Sequence, residues 1–175
     1  PVAAVSPLIP AILDGLAEKG WHVQPGFLLG ELVGQLRGEC LQRDASGGFH
    51  AAGVGAGQAQ VVSELRGDRI LWLEASDPSQ AVQEYLAAME ELRQGVNATF
   101  YLGLFELEAH FAAYPAGAFY RRHLDRFRDD DRRSLTAIVY LNEGWSEADG
   151  GQLRFWPDTA GEGDPVEILP EGGTL

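Results

Sequence analysis

Tyr114-Pro115-Ala116-Gly117-Ala118-Phe119-Tyr120-Arg121-Arg122-His123-Leu124-Asp125 sets an imidazole and a carboxylate two residues apart, just after a Pro/Gly turn. Read as a β-strand, the stretch turns positions i and i+2 to one face, so His123 and Asp125 are expected to converge. A neutral imidazole nitrogen and a carboxylate oxygen are two of the three ligands in the 2-His-1-carboxylate arrangement that holds non-haem Fe(II). The third would be a distant histidine from a later strand. By itself the tripeptide is a weak signal, and an isolated match reads as a surface histidine beside a solvated acid.

The neighbouring segments strengthen it. The charged loop RFRDDDRR (126–133) is followed by SLTAIVYLNEGW (134–145), and then by the glycine pair of DGGQLRFW (149–156). This ordered set resembles the prolyl-4-hydroxylase branch of the Fe(II)/2-oxoglutarate oxygenases. Upstream, LRGDRILWLE (65–74) resembles the Arg-Gly-Asp…Trp segment of the hypoxia-factor hydroxylases and their bacterial relatives. The resemblance therefore runs from about Gly20 to the last residue.

Composition bounds the alternatives. At 175 residues and 45% hydrophobic content, the chain fits one globular domain able to bury a core. Thirteen basic against 26 acidic residues give a formal charge of −13, which argues against nucleic-acid backbones as partners and favours a basic protein surface or peptide. No apolar run reaches the length of a membrane span, and the first residues lack a signal-peptide pattern, so no membrane partner is expected. Cys40 is the sole cysteine, which excludes an internal disulfide and a cysteine-rich zinc site. A reducing, cytoplasmic setting and a monomer are the expectations.

Periodicity divides the chain into helices first and strands afterwards, an α+β layout. Residues 7–19 carry a helical pattern, with Ser6 as candidate N-cap and Gly20 as stop. A second helix is predicted over 28–43, with Leu29, Leu32, Val33, Leu36 and Cys40 on one stripe. Trp21-His22-Val23 between them reads as a short strand. Residues 45–60 hold five glycines and read as a mobile loop, either a plain surface loop or a lid over substrate; the resemblance favours a lid over 47–63, near the His123 pocket. Asp77-Pro78-Ser79 opens a third helix, 79–94, whose Val82, Leu86, Met89 and Leu92 face the core. Strict alternation over 105–111 predicts a half-buried strand with Phe105, Leu107, Ala109, Phe111 and Ala113 inward, and His110 and Tyr114 on the opposite face. His110 reads as an ordinary strand histidine. Residues 134–141 form a β-branched run suited to a central strand, and 152–156 and 166–169 read as shorter strands.

The resemblance implies more than these patterns do. It implies a double-stranded β-helix (jelly-roll) core supported by the N-terminal helices, with Fe(II) and 2-oxoglutarate as cofactor and cosubstrate and ascorbate as an accessory. His123 and Asp125 become metal ligands. Tyr140 and Tyr114 line the cosubstrate site, where a phenol donates one directed hydrogen bond from an apolar wall. Asp68 is expected to pair with Arg133 and hold the lid, leaving Arg66 to the substrate. Read without the neighbouring motifs, Tyr140 is a core tyrosine, and Arg66 and Asp68 are surface charges.

The family's distal histidine, followed by a basic residue that binds 2-oxoglutarate, has no counterpart after Asp125; His22, His50 and His110 all precede the motif. Gly172-Gly173-Thr174-Leu175 resembles the lead into the strand that carries it. The expectation is a single oxygenase domain, 1–175, lacking its C-terminal strand and showing little turnover in this form. The resemblance implies hydroxylation of a prolyl residue in a protein, with a translation elongation factor as candidate substrate, and oxidative decarboxylation of 2-oxoglutarate to succinate. The competing reading is a jelly-roll binding module, or pseudo-enzyme, that binds 2-oxoglutarate or peptide without turnover.

Overall fold

A computed structural model describes residues 7–53, 66–124, 134–158, 161 and 163–175. Its elements run α1 (Ile9–Lys19), α2 (Gly30–Ala45), β1 (His50–Ala51), β2 (Arg69–Leu73), α3 (Gln80–Phe100), β3 (Ala109–Ala113), β4 (Leu153–Phe155) and β5 (Val166–Ile168), with a 3-10 turn at Glu147–Asp149. Helices with antiparallel sheets bear out the α+β expectation. The chain falls into two compact units: residues 1–37, 78–107 and 137–175 form one, and residues 38–77 and 108–136 the other.

The first unit is built on α1 and α3. Gly20 ends α1 in the left-handed region at φ 78°, where glycine carries no Cβ penalty, and its N–H returns to the Leu16 carbonyl at 2.9 Å. Ser6 lies outside the described residues, and Leu8 occupies the N-cap position. α3 starts as predicted, with the Ser79 hydroxyl accepting from the Val82 N–H at 3.4 Å. It buries Val82, Met89 and Leu92, so Met89 is a packing residue.

α3 then runs six residues past the predicted end at 94, through Gly95. This glycine permits a close approach to α1, because a Cβ there would lie 2.9 Å from Ile9 Cγ2. Past the helix, the Asn97 amide accepts from the Leu104 N–H at 2.8 Å and donates to the Leu104 carbonyl at 2.9 Å, which holds the turn that follows.

Trp21-His22-Val23 is not a strand. The next residue, Gln24, exchanges two backbone hydrogen bonds with Leu175 (2.7 and 3.0 Å), and Trp21 packs edge-on against Phe155 of β4. The run 134–141 is not a regular strand either. Among the described residues, backbone pairing is found at and just past its end, where Tyr140 bonds Thr174 and Gly173, and Asn142 bonds Gly172 and bridges Glu171. Facing it, Pro170 has no N–H and Gly173 turns at φ 84°, so the facing chain cannot continue a ladder. β4 and β5, the two shorter strands expected over 152–156 and 166–169, pair antiparallel with each other.

In the second unit, β2 is central in the order β1-β2-β3, all antiparallel. β3 sits later than the alternation implied. Its register with β2 pairs Leu73 with Ala109 and Arg69 with Ala113, so the strand is 109–113. Ala109 and Phe111 are buried as expected, with Phe111 stacked on Phe49. Phe105 and Leu107 were expected in the core; lying before the paired segment, they are 90% and 38% exposed. His110 is on the outer face against Trp72. The first part of α2 belongs to the first unit, where Val33 and Leu36 are buried, whereas Leu29 precedes the helix and is 58% exposed. Arg43 near the helix end takes both oxygens of Asp77 at 2.6 and 2.9 Å.

Candidate metal and cosubstrate site

The β2–β3 ladder continues beyond its named ends. After Ala113 the chain leaves the sheet and turns over Pro115–Ala118, where the Ala118 N–H bonds the Pro115 carbonyl at 2.9 Å and Gly117 takes φ 78°. It then returns against the Arg-Gly-Asp segment. The Gly67 N–H donates to the Phe119 carbonyl at 3.0 Å, and Arg66 and Tyr120 form an antiparallel bridge. Gly67 is needed at this approach, since a Cβ there would sit 3.3 Å from the Ala118 Cβ. The strand expected through His123 is thus reduced to the bridge at Tyr120. The backbone of 121–124 belongs to no strand, and Asp125 lies outside the described residues.

Arg66 and Asp68 flank Gly67 and share a side of the strand, as an i, i+2 pair does. The Arg66 Nε and Nη2 donate to the two Asp68 oxygens at 2.6 and 2.9 Å, with the Asp68 side chain 0% exposed and that of Arg66 15%. Arg66 Nη1 also donates to the Gly53 carbonyl at 3.3 Å. Arg66 is the described partner of Asp68; the expected pairing of Asp68 with Arg133 lies outside the described residues. The hydrogen bond to Asp68 raises the Arg66 pKa above its ordinary value and keeps the guanidinium charged. The lid expectation also falls largely outside the described residues, yet its two flanks, Gly53 and Arg66, meet here.

Tyr114 completes the group. Desolvation, then the negative charge of Asp68 and the hydrogen bond to it, push the Tyr114 phenol up to about 12. Half of the residue's surface is exposed, but its hydroxyl end is turned to the Asp68 carboxylate. In the other unit, burial pushes Tyr140 to about 12 as well. Both phenols therefore remain neutral donors through the physiological range, as binding a carboxylate requires.

His123 is exposed, and two contacts of its ring stand out. Its Nδ1 lies 2.7 Å from the Arg121 carbonyl, and its plane stacks on Tyr120 with centroids 3.6 Å apart and 17° between planes. A carbonyl oxygen only accepts, so Nδ1 is the donor in this contact. This is how metal-binding histidines are commonly held. The donor chemistry of His123, with the carboxylate of Asp125 two residues on, fits a ferrous ion. Among the described residues no three His, Cys, Asp or Glu side chains gather as a metal site. Tyr120 is the residue that sequence reasoning did not single out. Its signal was the aromatic three positions before a histidine, which alone does not distinguish stacking from core packing.

Residues 109–175 match the 2OG-Fe(II) oxygenase superfamily. Human Egl nine homolog 1 is 28% identical over 178 residues, which include 98% of this chain; the chain spans only 41% of that relative's length. The crystal structure of a Pseudomonas putida prolyl-4-hydroxylase superposes with a TM-score of 0.87 at 45% identity, covering 96% of this chain and 84% of that one. A Trichoplax adhaerens prolyl hydroxylase, solved in complex with a hypoxia inducible factor oxygen degradation domain peptide fragment, shares the fold at TM-score 0.83 and 24% identity, over 97% of this chain and 77% of its own. A family match over residues 109–175, and 45% identity across most of two chains, carry one conclusion: the chain belongs to the 2OG-Fe(II) oxygenase superfamily, in its prolyl hydroxylase branch.

Proposed function

We propose that the chain is the catalytic part of an Fe(II)- and 2-oxoglutarate-dependent hydroxylase of prolyl residues in a protein or peptide, built on a jelly-roll core. The observation that carries this reading is the likeness to the Pseudomonas putida prolyl-4-hydroxylase, 45% identical at a TM-score of 0.87, beside a His123 whose Nδ1 is held on the Arg121 carbonyl. His123 and Asp125 hold the metal, which when bound activates dioxygen with electrons from 2-oxoglutarate. Tyr140 donates its phenolic proton to the cosubstrate's distal carboxylate, a task for which burial keeps it neutral. Tyr114 stands with its hydroxyl on the Asp68 charge, so its part in the cosubstrate site is to close the wall beside the Arg66–Asp68 pair. Arg66, held by hydrogen bonds to Asp68 and the Gly53 carbonyl, keeps the approach to the site in place. The acidic balance of the chain, −13 overall, supports a basic protein surface as the substrate's carrier, and a translation elongation factor is the candidate that the resemblance implies.

The test is 2-oxoglutarate decarboxylation by the full-length protein, with and without a proline-containing protein substrate. Substrate-stimulated succinate formation is expected, and it should vanish in His123→Ala and in Asp125→Ala, since two remaining ligands do not hold iron facially. Undiminished turnover in either variant overturns the proposal. Binding of 2-oxoglutarate without any turnover by the wild type would favour a binding module instead.

A further inference from the structure

We propose that Tyr120 is a positioning residue for the His123 imidazole, and that it ties this ring to the buried Arg66–Asp68 pair. The inference rests on the reading of His123 as a metal ligand. An exposed histidine on a segment without regular pairing has two free side-chain torsions. The contact of Nδ1 with the Arg121 carbonyl restrains one atom of the ring. Stacking on Tyr120, at 3.6 Å and 17°, restrains the plane. Both contacts bear on the direction in which Nε2 points.

Tyr120 is itself anchored. Its backbone bridges Arg66, and the Arg66 guanidinium carbon lies 4.4 Å from the centroid of its ring, a cation–π contact. That guanidinium is in turn fixed by two hydrogen bonds to a carboxylate with no solvent exposure. A line of support therefore runs from the buried Asp68 through Arg66 and Tyr120 to His123. This gives the Arg-Gly-Asp segment a second use, as the base on which a ligand's ring is oriented. Only the face of an aromatic ring is required at position 120; the phenolic hydroxyl is not.

The test uses the metal-free full-length protein, titrated with Co(II) in place of Fe(II), for wild type, Tyr120→Leu, Tyr120→Phe and His123→Ala. Outer partners of a ligating histidine contribute roughly 10–100-fold to metal affinity, so Tyr120→Leu should bind Co(II) about tenfold more weakly. Tyr120→Phe should restore wild-type affinity. A second readout needs neither metal nor variant: the His123 ring protons should be shifted upfield relative to the denatured protein, because they lie over an aromatic face. The shift should persist in Tyr120→Phe and disappear in Tyr120→Leu.

The proposal is overturned if the wild-type His123 ring shows no such shielding. It is equally overturned if Tyr120→Leu binds Co(II) like wild type while His123→Ala does not. If His123→Ala keeps wild-type affinity, the ligand assignment fails, and with it the claim that Tyr120 serves a ligand.

Discussion

Replacing Asp68 by alanine isolates the contact on which the candidate site is mounted. The substitution removes a carboxylate that is fully buried and leaves Arg66, 15% exposed, as a cation with one remaining carbonyl partner. Breaking a buried ion pair from one side costs about 3–5 kcal/mol, because the surviving charge is stranded. Arg66 keeps some access to water and to the Gly53 carbonyl, which places the expectation at the lower end, about 3 kcal/mol. The Tyr114 hydroxyl loses its acceptor too, but the exposed half of that residue lets water take over, so little is added. For a chain of this size, 3 kcal/mol corresponds to a fall in Tm of roughly 6–12 °C.

Urea unfolding should show the loss as a lower midpoint at an unchanged slope. The companion variant Arg66→Met/Asp68→Ala supplies the control. With both charges gone the cost should shrink to about 1 kcal/mol, since replacing a whole buried pair is often close to neutral. A double variant as unstable as Asp68→Ala, or an Asp68→Ala protein within about 1 kcal/mol of wild type, would refute the stranded-charge argument.

Two further outcomes follow from the phenols. Tyr140→Phe deletes one hydrogen bond to a charged carboxylate, worth roughly 1.5–3 kcal/mol, so 2-oxoglutarate should bind about 10- to 150-fold more weakly while turnover at saturation persists; an unchanged dissociation constant removes Tyr140 from the cosubstrate site. Tyr85, Tyr114 and Tyr140 all ionise near 12 in the folded protein against an ordinary 10.0, with desolvation the leading cause in each. Above pH 10 the unfolded chain gives up these protons first and so binds fewer than the folded one. Stability should therefore decline as pH rises from 10 toward 12, and be unaffected by these groups below that window. Ultraviolet titration of the wild type against the three Tyr→Phe variants checks it, and ionisation of these residues at the ordinary value contradicts it.

Much of the architecture was legible because it depends on local chemistry. Gly20 ends a helix where the left-handed conformation is needed, Ser79 caps another, and the apolar periodicity of Val82, Met89 and Leu92 is the buried face of α3. The short strands Leu153–Phe155 and Val166–Ile168 were legible from their bounding Gly, Pro and Asp residues, though their pairing with each other was not. What misled was extent. Gly95 looks like a helix terminator in the one-dimensional chain, and only the proximity of Ile9 shows it as a packing notch. The alternation from Phe105 to Ala113 carries no mark of where pairing starts; the register with Arg69–Leu73 decides that, and it leaves Phe105 in solvent.

The same division holds at the site. His123 and Asp125 are neighbours by covalent spacing, so the sequence alone offered these two groups as candidate ligands, and its Pro and Gly residues marked the turn that precedes them. It did not determine that Arg66 pairs with Asp68. A carboxylate near several arginines in the chain has more than one candidate within reach, and the pairing with Arg66 depends on the desolvated geometry of the folded strand. There the i, i+2 neighbour Arg66 meets both oxygens at 2.6 and 2.9 Å. The stacking of His123 on Tyr120 is likewise tertiary. It depends on the Arg66–Tyr120 bridge, a contact between segments 54 positions apart in the chain, whose register local spacing leaves open until the sheet forms.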